Sequence, residues 1–458
     1  MNIKSINPHD QSVIGETPIS SAEEIENTVK KAREALNGWK NTPIEERCKY
    51  VTKFGELLKE NGEELAKLIS MEMGKPLAQA RDDVKFELDF VNYYADNGPK
   101  FLADEKVWGD PKNDFRMTFE PYGVVACICP WNFPISMVTS GMLPALVAGN
   151  TVVVKPSEYT TLTQKRVVEL MQETGIPAGV VDYVIGAGDV GATLLQQKID
   201  LVWFTGSTRA GQQIFKVAAE KFIKSLLEMG GSSPGIVFAD ADLDNAIENL
   251  YWARFLNAGQ VCTAVKRLLV ERKIFDKFVA LFKERVEKIK VGNPLDESDM
   301  GPLVNKKQLD LLVEQVEDAK SKGVKIVCGG NKIVKTGLEN GNYFEPTLMT
   351  GVTPEMRVFS EEIFGPVLPI IPFDSEEEVI KLANQTEYGL SAEVYTTDLE
   401  KAERVGKQIE CGVVGINTDN YFKPECPFGG YKKSGVGREY GRVGMQEFAQ
   451  IKVLAVQK

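Results

Sequence analysis

The stretch Gly123-Val124-Val125-Ala126-Cys127-Ile128-Cys129-Pro130-Trp131-Asn132-Phe133-Pro134 decides how the rest of the chain is read. A short apolar run rich in β-branched residues ends in a loop stiffened by two prolines, and from Gly123 onward the same pattern recurs. Apolar runs over residues 124–128, 151–154, 181–185 and 201–204 predict strands, and helical spacing over 162–174, 192–197 and 210–222 separates them. Alternation of this kind predicts βαβ units and a parallel sheet, so the fold class is α/β.

Toward the N-terminus the pattern is helical. Ser21-x-x-Glu24 forms a capping box ahead of Ile25, Val29, Ala32 and Leu36 at helical spacing. Thr42-Pro43-x-Glu45 repeats the signal with proline at the first helical position, and a third helical run covers 78–97. Residues 108–119 are polar and read as an exposed arm or hairpin. Toward the C-terminus, Gly230-Gly231-Ser232-Ser233-Pro234 has linker chemistry and predicts a boundary. A second block follows, with helices over 243–255, 275–286 and 306–321 and a boxed helix starting at Ser375-x-x-Glu378.

With 458 residues, two or more domains are expected. A net charge of −11 argues against nucleic acid and anionic membrane surfaces as partners. No apolar run approaches the ~18 residues that span a bilayer, and Met1 to Asn7 carry no apolar signal-peptide core. Seven cysteines without a CxxC pair argue against a disulfide framework or structural zinc, which makes a reduced cytoplasm the expected location.

The chemistry centres on Asn257-Ala258-Gly259-Gln260-Val261-Cys262-Thr263, which places a thiol in a loop between a helix and a strand. A thiol attacks only as thiolate and needs a helper. The one histidine, His9, lies far away in an Asn-Pro-His-Asp turn, so the base is a carboxylate, a lysine or water. Glu228, between an apolar pair and Gly230-Gly231, is placed for partial desolvation, which raises a carboxyl toward general-base range; the alternative is a solvated surface glutamate. Asn132, held between Pro130 and Pro134, can aim its amide at a developing oxyanion or simply build a rigid turn. In Phe204-Thr205-Gly206-Ser207-Thr208, glycine admits close backbone approach and Ser207 or Thr208 can cap a helix whose N-terminus favours phosphate; a plain cap fits as well. Lys155-Pro156-Ser157-Glu158 puts a cation and a carboxylate at a strand end, where both can bond ribose hydroxyls or remain solvated charges. Gly186-Ala187-Gly188-Asp189-Val190-Gly191 matches GxGxxG, but no acidic residue stands at 203–210, so a tight helix–sheet turn explains it equally. Of the other cysteines, Cys127 and Cys129 share one strand side in the core, Cys411 opens a strand, and Cys426 stands near a candidate pocket mouth.

These runs, with Glu361-Glu362-Ile363-Phe364-Gly365-Pro366 and Pro427-Phe428-Gly429-Gly430-Tyr431-Lys432-Lys433-Ser434-Gly435, resemble the NAD(P)-dependent aldehyde dehydrogenase superfamily over nearly the whole chain. The length is similar to that of the compact succinate-semialdehyde dehydrogenase branch. The resemblance implies oxidation of an aldehyde to its acid through a Cys262 thiohemiacetal and thioester. Asn132 and the Cys262 N–H would hold the oxyanion, and Glu228 would activate the hydrolytic water. It implies that Lys155 and Glu158, with Ser157 between them, bind the adenosine ribose and that Gly206 and Ser207 lie by the pyrophosphate. Trp131, Thr208 and the Met229 backbone would line the cleft, Glu362 would bind the nicotinamide ribose, and Phe364 would pack close by.

Glu158 predicts NAD in preference to NADP, with Lys155 allowing some NADP use; no metal is expected. The pocket residues implied are Met137, Gly141, Leu256, Val261, Thr263, Tyr421 and Phe422, with Arg254 undirected by sequence. Their composition favours a short aliphatic or 2-hydroxy aldehyde, whereas the length resemblance favours a carboxylated aldehyde such as succinate semialdehyde, and both stay open. Two alternatives stand beside this: a CoA-acylating dehydrogenase and a catalytically silent binding protein on the same fold. The implied organisation is a Rossmann-type cofactor domain over 1–103 and 122–230, a catalytic α/β domain over 231–444, and an oligomerisation arm over 104–121 and 445–458. The arm predicts a homodimer or homotetramer.

Overall fold

Strands without a polar face belong in a sheet covered on both sides, and the computed structural model, which describes residues 1–458, places them in one. Val124–Ile128 and Thr151–Lys155 are buried along their whole length. The sheet has the order Gly435–Val436, Lys224–Met229, Leu201–Gly206, Val124–Ile128, Thr151–Lys155, Val181–Tyr183. Its neighbours are parallel except Gly435–Val436, which runs antiparallel to Lys224–Met229. The chain steps outward from Val124–Ile128 in one direction and then resumes on its other side with Leu201–Gly206. Such a reversal opens a crevice beyond the carboxyl ends of the two strands, where α/β sheets bind ligands. The Pro130-to-Pro134 loop and Ser207 follow those two ends.

One face packs Val124, Ala126, Val202 and Phe204 against Ile25 and Val29 of the Ala22–Lys40 helix and Ile214 of Thr208–Lys221. The other packs Val125, Cys127 and Trp203 against the Ile44–Glu60, Leu77–Phe101 and Ser136–Val147 helices. Both halves of the Ser21 box form, with Glu24 N–H donating to Ser21 Oγ at 3.2 Å and Ser21 N–H to Glu24 Oε2 at 2.7 Å.

Several local expectations are corrected. The second helix starts at Ile44 with Pro43 as its cap, while the Thr42 hydroxyl donates back to the Gly38 carbonyl at 3.1 Å. The third predicted strand stops at Tyr183, and the following helix already begins at Gly188, because the glycine turn is absorbed into its first turn. The Gly230-to-Pro234 run is buried throughout and passes directly into the Ser233–Val237 strand; Arg267 clamps it by donating to the Ser232 carbonyl at 2.8 Å. Cys411 is buried two residues ahead of the Val413–Ile416 strand rather than opening it.

The second sheet has the order Lys325–Cys328, Thr347–Thr350, Val367–Phe373, Val265–Glu271, Ser233–Val237, Ser391–Tyr395, Val413–Ile416. Only its first pair is antiparallel. A third sheet pairs Ala449–Gln457 with Asn113–Pro121 residue by residue, and Asn113–Pro121 with Glu105–Gly109. Val107, Trp108, Ile451, Val453 and Val456 are exposed on it. No helix is long and apolar enough to cross a membrane.

Glu393 is buried in the Ser391–Tyr395 strand, where the Tyr395 hydroxyl donates to it at 2.6 Å. Burial pushes its carboxyl from 4.5 up to about 8. The folded state therefore holds this proton more tightly than the unfolded chain, so its contribution to stability is full in acid and is lost as pH rises from 4.5 toward 8. Thermal unfolding across that window is expected to show Tm falling by several degrees, with Glu393→Gln flattening part of the fall. The remainder belongs to other raised carboxyls such as Glu87.

Candidate active site

The Leu243–Phe255 helix is followed by three residues in the left-handed region: Asn257 at φ 53°, Ala258 at 54° and Gly259 at 73°. At Gly259 a Cβ would also lie 2.4 Å from the Gly365 carbonyl oxygen, so glycine is required there twice over. Strain of this kind persists only where surroundings hold it. Here Gln260 Nε2 donates to the Asn257 carbonyl at 3.1 Å, and Gln260 Oε1 accepts from Val304 N–H at 2.9 Å. Asn257 Nδ2 donates to the Asn132 carbonyl at 3.0 Å, and Asn132 Nδ2 donates to the Gln260 carbonyl at 3.2 Å. The Asn132 loop from the first sheet and the Cys262 loop before the second are thus stitched together. One Asn132 N–H is spent on Gln260; the amide carries a second.

Cys262 is half-buried at this seam. Burial pushes its thiol up to about 12; Lys266 opposes that, while Glu362 and Glu228 add to it. Glu228 ends the Lys224–Met229 strand and is buried. Desolvation, then the charge of Glu439, holds its carboxyl well above the usual range, with Arg438 and the Gly430 amide pulling the other way. Glycines let the 427–435 run cover it closely: a Cβ at Gly429 would meet Glu228 Oε1 at 2.8 Å. Glu228 Oε2 has no hydrogen-bond partner. Behind it, Trp203 Nε1 donates to Glu439 Oε1 at 2.6 Å, and burial lifts Glu439 to about 8. Two buried carboxyls that repel cannot both ionise readily, so the pair holds its protons to higher pH than free carboxyls do.

The remaining sequence-marked residues lie at strand ends of the first sheet or in the 361–366 loop that meets them. Ser207 caps the Thr208–Lys221 helix, accepting from Ala210 N–H at 3.4 Å. Lys155 is buried, donates to the Gly186 carbonyl at 3.0 Å, and stands 3.7 Å from Glu158. Burial lowers its ammonium pKa. Ser157 accepts from Tyr159 N–H at 3.3 Å and shapes the loop that carries Glu158. Trp131 meets Phe364 edge to face with ring centroids 5.5 Å apart. Glu362 accepts from Gly231 N–H at 3.1 Å, next to buried Met229. At Gly230 a Cβ would meet Glu362 Oε2 at 2.0 Å, so the Gly-Gly turn makes the seat for this carboxylate.

Whether this crevice fits a dinucleotide is tested by what it leaves unmatched. The Thr205 and Thr208 hydroxyls, flanking Gly206, are buried without partners, and the space beside Gly188 is open. Polar groups without partners beside a helix N-terminus, with a lysine–glutamate pair across from them, suit phosphates and ribose hydroxyls.

One pocket expectation is corrected, and the direction that the sequence leaves open for Arg254 is fixed. Gly141 is buried against the first sheet: a Cβ there would meet Cys127 Sγ at 2.6 Å and Trp203 Cδ2 at 2.7 Å. Arg254 is fully buried and turned from the thiol, donating to the Val265 carbonyl at 3.3 Å and also to those of Ile363 and Gly365. Arg254→Met leaves these carbonyls without a donor and should cost about 3 kcal/mol of stability, read from thermal or denaturant unfolding. Cys426 is exposed, beside Tyr93. Lys266 and Glu439 escaped the sequence reading, as did the hydrogen bonds by which Asn257 and Gln260 hold the thiol loop. For Lys266 and Arg267 a signal existed, since two adjacent cations inside the otherwise apolar Val265–Glu271 strand need buried partners.

Known proteins match the chain over nearly its whole length. Residues 1–454 match the Aldehyde dehydrogenase family. The chain is 38% identical over 457 residues to a glutarate-semialdehyde dehydrogenase of Pseudomonas putida, covering 99% of this chain and 94% of that protein. It is 40% identical over 452 residues to a betaine aldehyde dehydrogenase of Bacillus subtilis, covering 98% and 92%. The crystal structure of a Staphylococcus aureus betaine aldehyde dehydrogenase in complex with NAD+ superposes with a TM-score of 0.96 at 36% identity, covering 99% of this chain and 91% of that one. A thiol, an amide and a desolvated carboxyl gathered between two α/β sheets, in a chain matched over nearly its whole length, place this protein in the aldehyde dehydrogenase family.

Proposed function

We propose that this protein oxidises an aldehyde to its carboxylic acid, using NAD in preference to NADP. Cys262 is the nucleophile: its sulfur bonds to the aldehyde carbon, and the free Asn132 N–H with the Cys262 N–H donates to the oxygen as it gains charge. When bound, the nicotinamide supplies the two-electron oxidant that turns this thiohemiacetal into a thioester. Glu228 then takes a proton from water as its oxygen attacks the thioester carbon; the carbon–sulfur bond breaks, the acid leaves and the thiolate is restored. The observation that carries the reading is the stitched pair of loops that holds Asn132 beside Cys262, with an unpartnered oxygen of Glu228 within electrostatic reach.

On the cofactor side, Lys155 and Glu158 bind the adenosine ribose, with Ser157 setting their loop. Gly206, Ser207 and Thr208 receive the pyrophosphate. Trp131, Met229 and Phe364 wall the cleft, and Glu362 accepts from the nicotinamide ribose. The organisation follows: a cofactor domain over 1–103 and 122–230, a catalytic domain over 231–444, and an arm over 104–121 and 445–458. The exposed apolar residues of the arm sheet and its open edge strand support pairing with a second copy. Glu158, half-buried, repels a 2′-phosphate while accepting from a 2′-hydroxyl. Glu158→Gln is expected to lower the NAD-over-NADP ratio of kcat/KM by ~10-fold, the worth of one weak charge contact.

For the substrate, an uncharged aliphatic or 2-hydroxy aldehyde is favoured. Arg254 and Arg267, the arginines on either side of the thiol in sequence, are both committed to backbone carbonyls. Half-buried Phe422 stacks on Phe428 at 4.5 Å, and Glu425 is exposed at the same loop. A carboxylated semialdehyde is the second reading, supported by the glutarate-semialdehyde relative. A panel of neutral and carboxylated aldehydes with NAD and NADP, followed by reduced nicotinamide absorbance, decides between them. Absence of turnover with every aldehyde would overturn the assignment, and turnover that requires CoA would overturn the hydrolytic step.

A further inference from the structure

Lys266 stands four residues after Cys262, its side chain fully buried in the Val265–Glu271 strand. Its Nζ donates to the Cys262 carbonyl oxygen at 2.8 Å and to Glu362 Oε1 at 2.7 Å, and lies 5.5 Å from the Phe364 ring centre. A buried ammonium needs a counter-charge, and Glu362 provides it. Yet Glu362 is also the carboxylate proposed above to accept from the nicotinamide ribose, so one acid has two claims on it.

We propose that Lys266 is the cation that stabilises the Cys262 thiolate, and that Glu362 holds its charge neutralised until ribose hydroxyls draw on that carboxylate. The inference rests on the ribose role of Glu362. With the ion pair intact the resting thiol stays protonated and inert; weakening the pair leaves more of the Lys266 charge to act on the Cys262 thiol, whose ionisation it favours. The thiol ionises when the oxidant is in place. The charged and titratable groups facing the thiol are Lys266 from the following strand, Glu362 from the 361–366 loop, Glu228 from the first sheet and Tyr421 from the loop after Val413–Ile416; Arg254 faces Lys266 from the helix before. Burial favours the neutral form of Lys266 and both Glu362 and Cys262 oppose this, so the forming thiolate takes over as counter-charge when ribose hydroxyls draw on Glu362. Lys266 is a positioning residue here, since its Nζ contacts the cysteine backbone and the carboxylate rather than the reacting carbon.

The test is the pH dependence of Cys262 alkylation by iodoacetamide in the full-length protein without aldehyde, quantified by mass spectrometry of the Cys262 peptide, with and without NAD. NAD binding is measured separately by calorimetry. In the wild type, NAD is expected to move the inflection down by at least about one unit and to speed alkylation at pH 8 by ~10-fold. Glu362→Gln should give much of that acceleration without NAD, and the Lys266→Met/Glu362→Gln double variant should lose it. Lys266→Met alone should keep only the shift that the nicotinamide's own positive charge supplies, while Lys266→Arg retains the wild-type response. If Lys266→Met does not fold, Lys266→Arg and Glu362→Gln carry the comparison. Superimposable profiles for Lys266→Met and wild type, with NAD bound to both, would overturn this inference alone. Wild-type protein that binds no NAD would overturn the cofactor reading beneath it.

Discussion

Cys262→Ala is expected to lower kcat/KM by at least ~10⁴-fold while leaving NAD affinity and Tm near wild type, because no other group can form the covalent adduct. The half-buried sulfur sits at the seam between the Asn132 loop and the second sheet. Cys127 and Cys129 are buried in the core, their sulfurs 3.7 Å apart, and His9 bonds Tyr343 at 2.8 Å. Neither can substitute. Cys262→Ser is expected to fall nearly as far, since an alcohol is a much weaker nucleophile and lacks a base held against it. Steady-state assays with calorimetry for NAD separate loss of chemistry from loss of binding. Turnover within ~10-fold of wild type in either variant would remove the thioester from the mechanism.

Glu228→Gln is expected to separate the two halves of the reaction. Acylation needs the thiolate and the oxyanion donors, whereas hydrolysis needs a proton acceptor for water. The variant should give a burst of about one reduced nicotinamide per active site, followed by turnover slower than wild type by ~10²–10⁴-fold. The pH profile supplies the sign. Desolvation and Glu439 raise the Glu228 carboxyl, so the fraction of base form, and with it the hydrolytic rate, increases with pH well beyond the ordinary carboxylate range. In Glu228→Gln that limb should vanish, leaving only the dependence of acylation on the thiol. Stopped-flow absorbance across a pH series reads both. A variant that loses the burst and the steady state equally would assign Glu228 to activating the thiol instead.

Local order was legible because its causes are local. Three helices, Leu243–Phe255, Phe275–Val286 and Lys306–Ser321, have the ends that their spacing and caps predict. Ser136–Val147 was not legible, since a helix buried on every side has no amphipathic face to register as periodicity. The Asn2–Ile6 and Val13–Pro18 hairpin was missed as well, because its burial is slight and irregular. The Gly230-to-Pro234 run passes between the two sheets but is buried: glycine and serine suit a solvated linker and an equally tight buried crossover, and only what packs on them tells the two apart.

The residues that name the chemistry were present in the chain itself: a loop thiol at Cys262 without a nearby histidine, a carboxyl at Glu228 set among apolar and glycine neighbours, an amide at Asn132 between prolines. Residue type and immediate neighbours dictate those properties. What the tertiary structure alone decided is which charges meet. The Lys266–Glu362 pair joins positions 96 residues apart, Trp203 reaches Glu439 across 236, and Arg254 spends itself on carbonyls of a loop more than a hundred residues on. Ion pairs and buried hydrogen bonds are set by distance and desolvation in space, and no local period or composition encodes which distant strand a side chain will face.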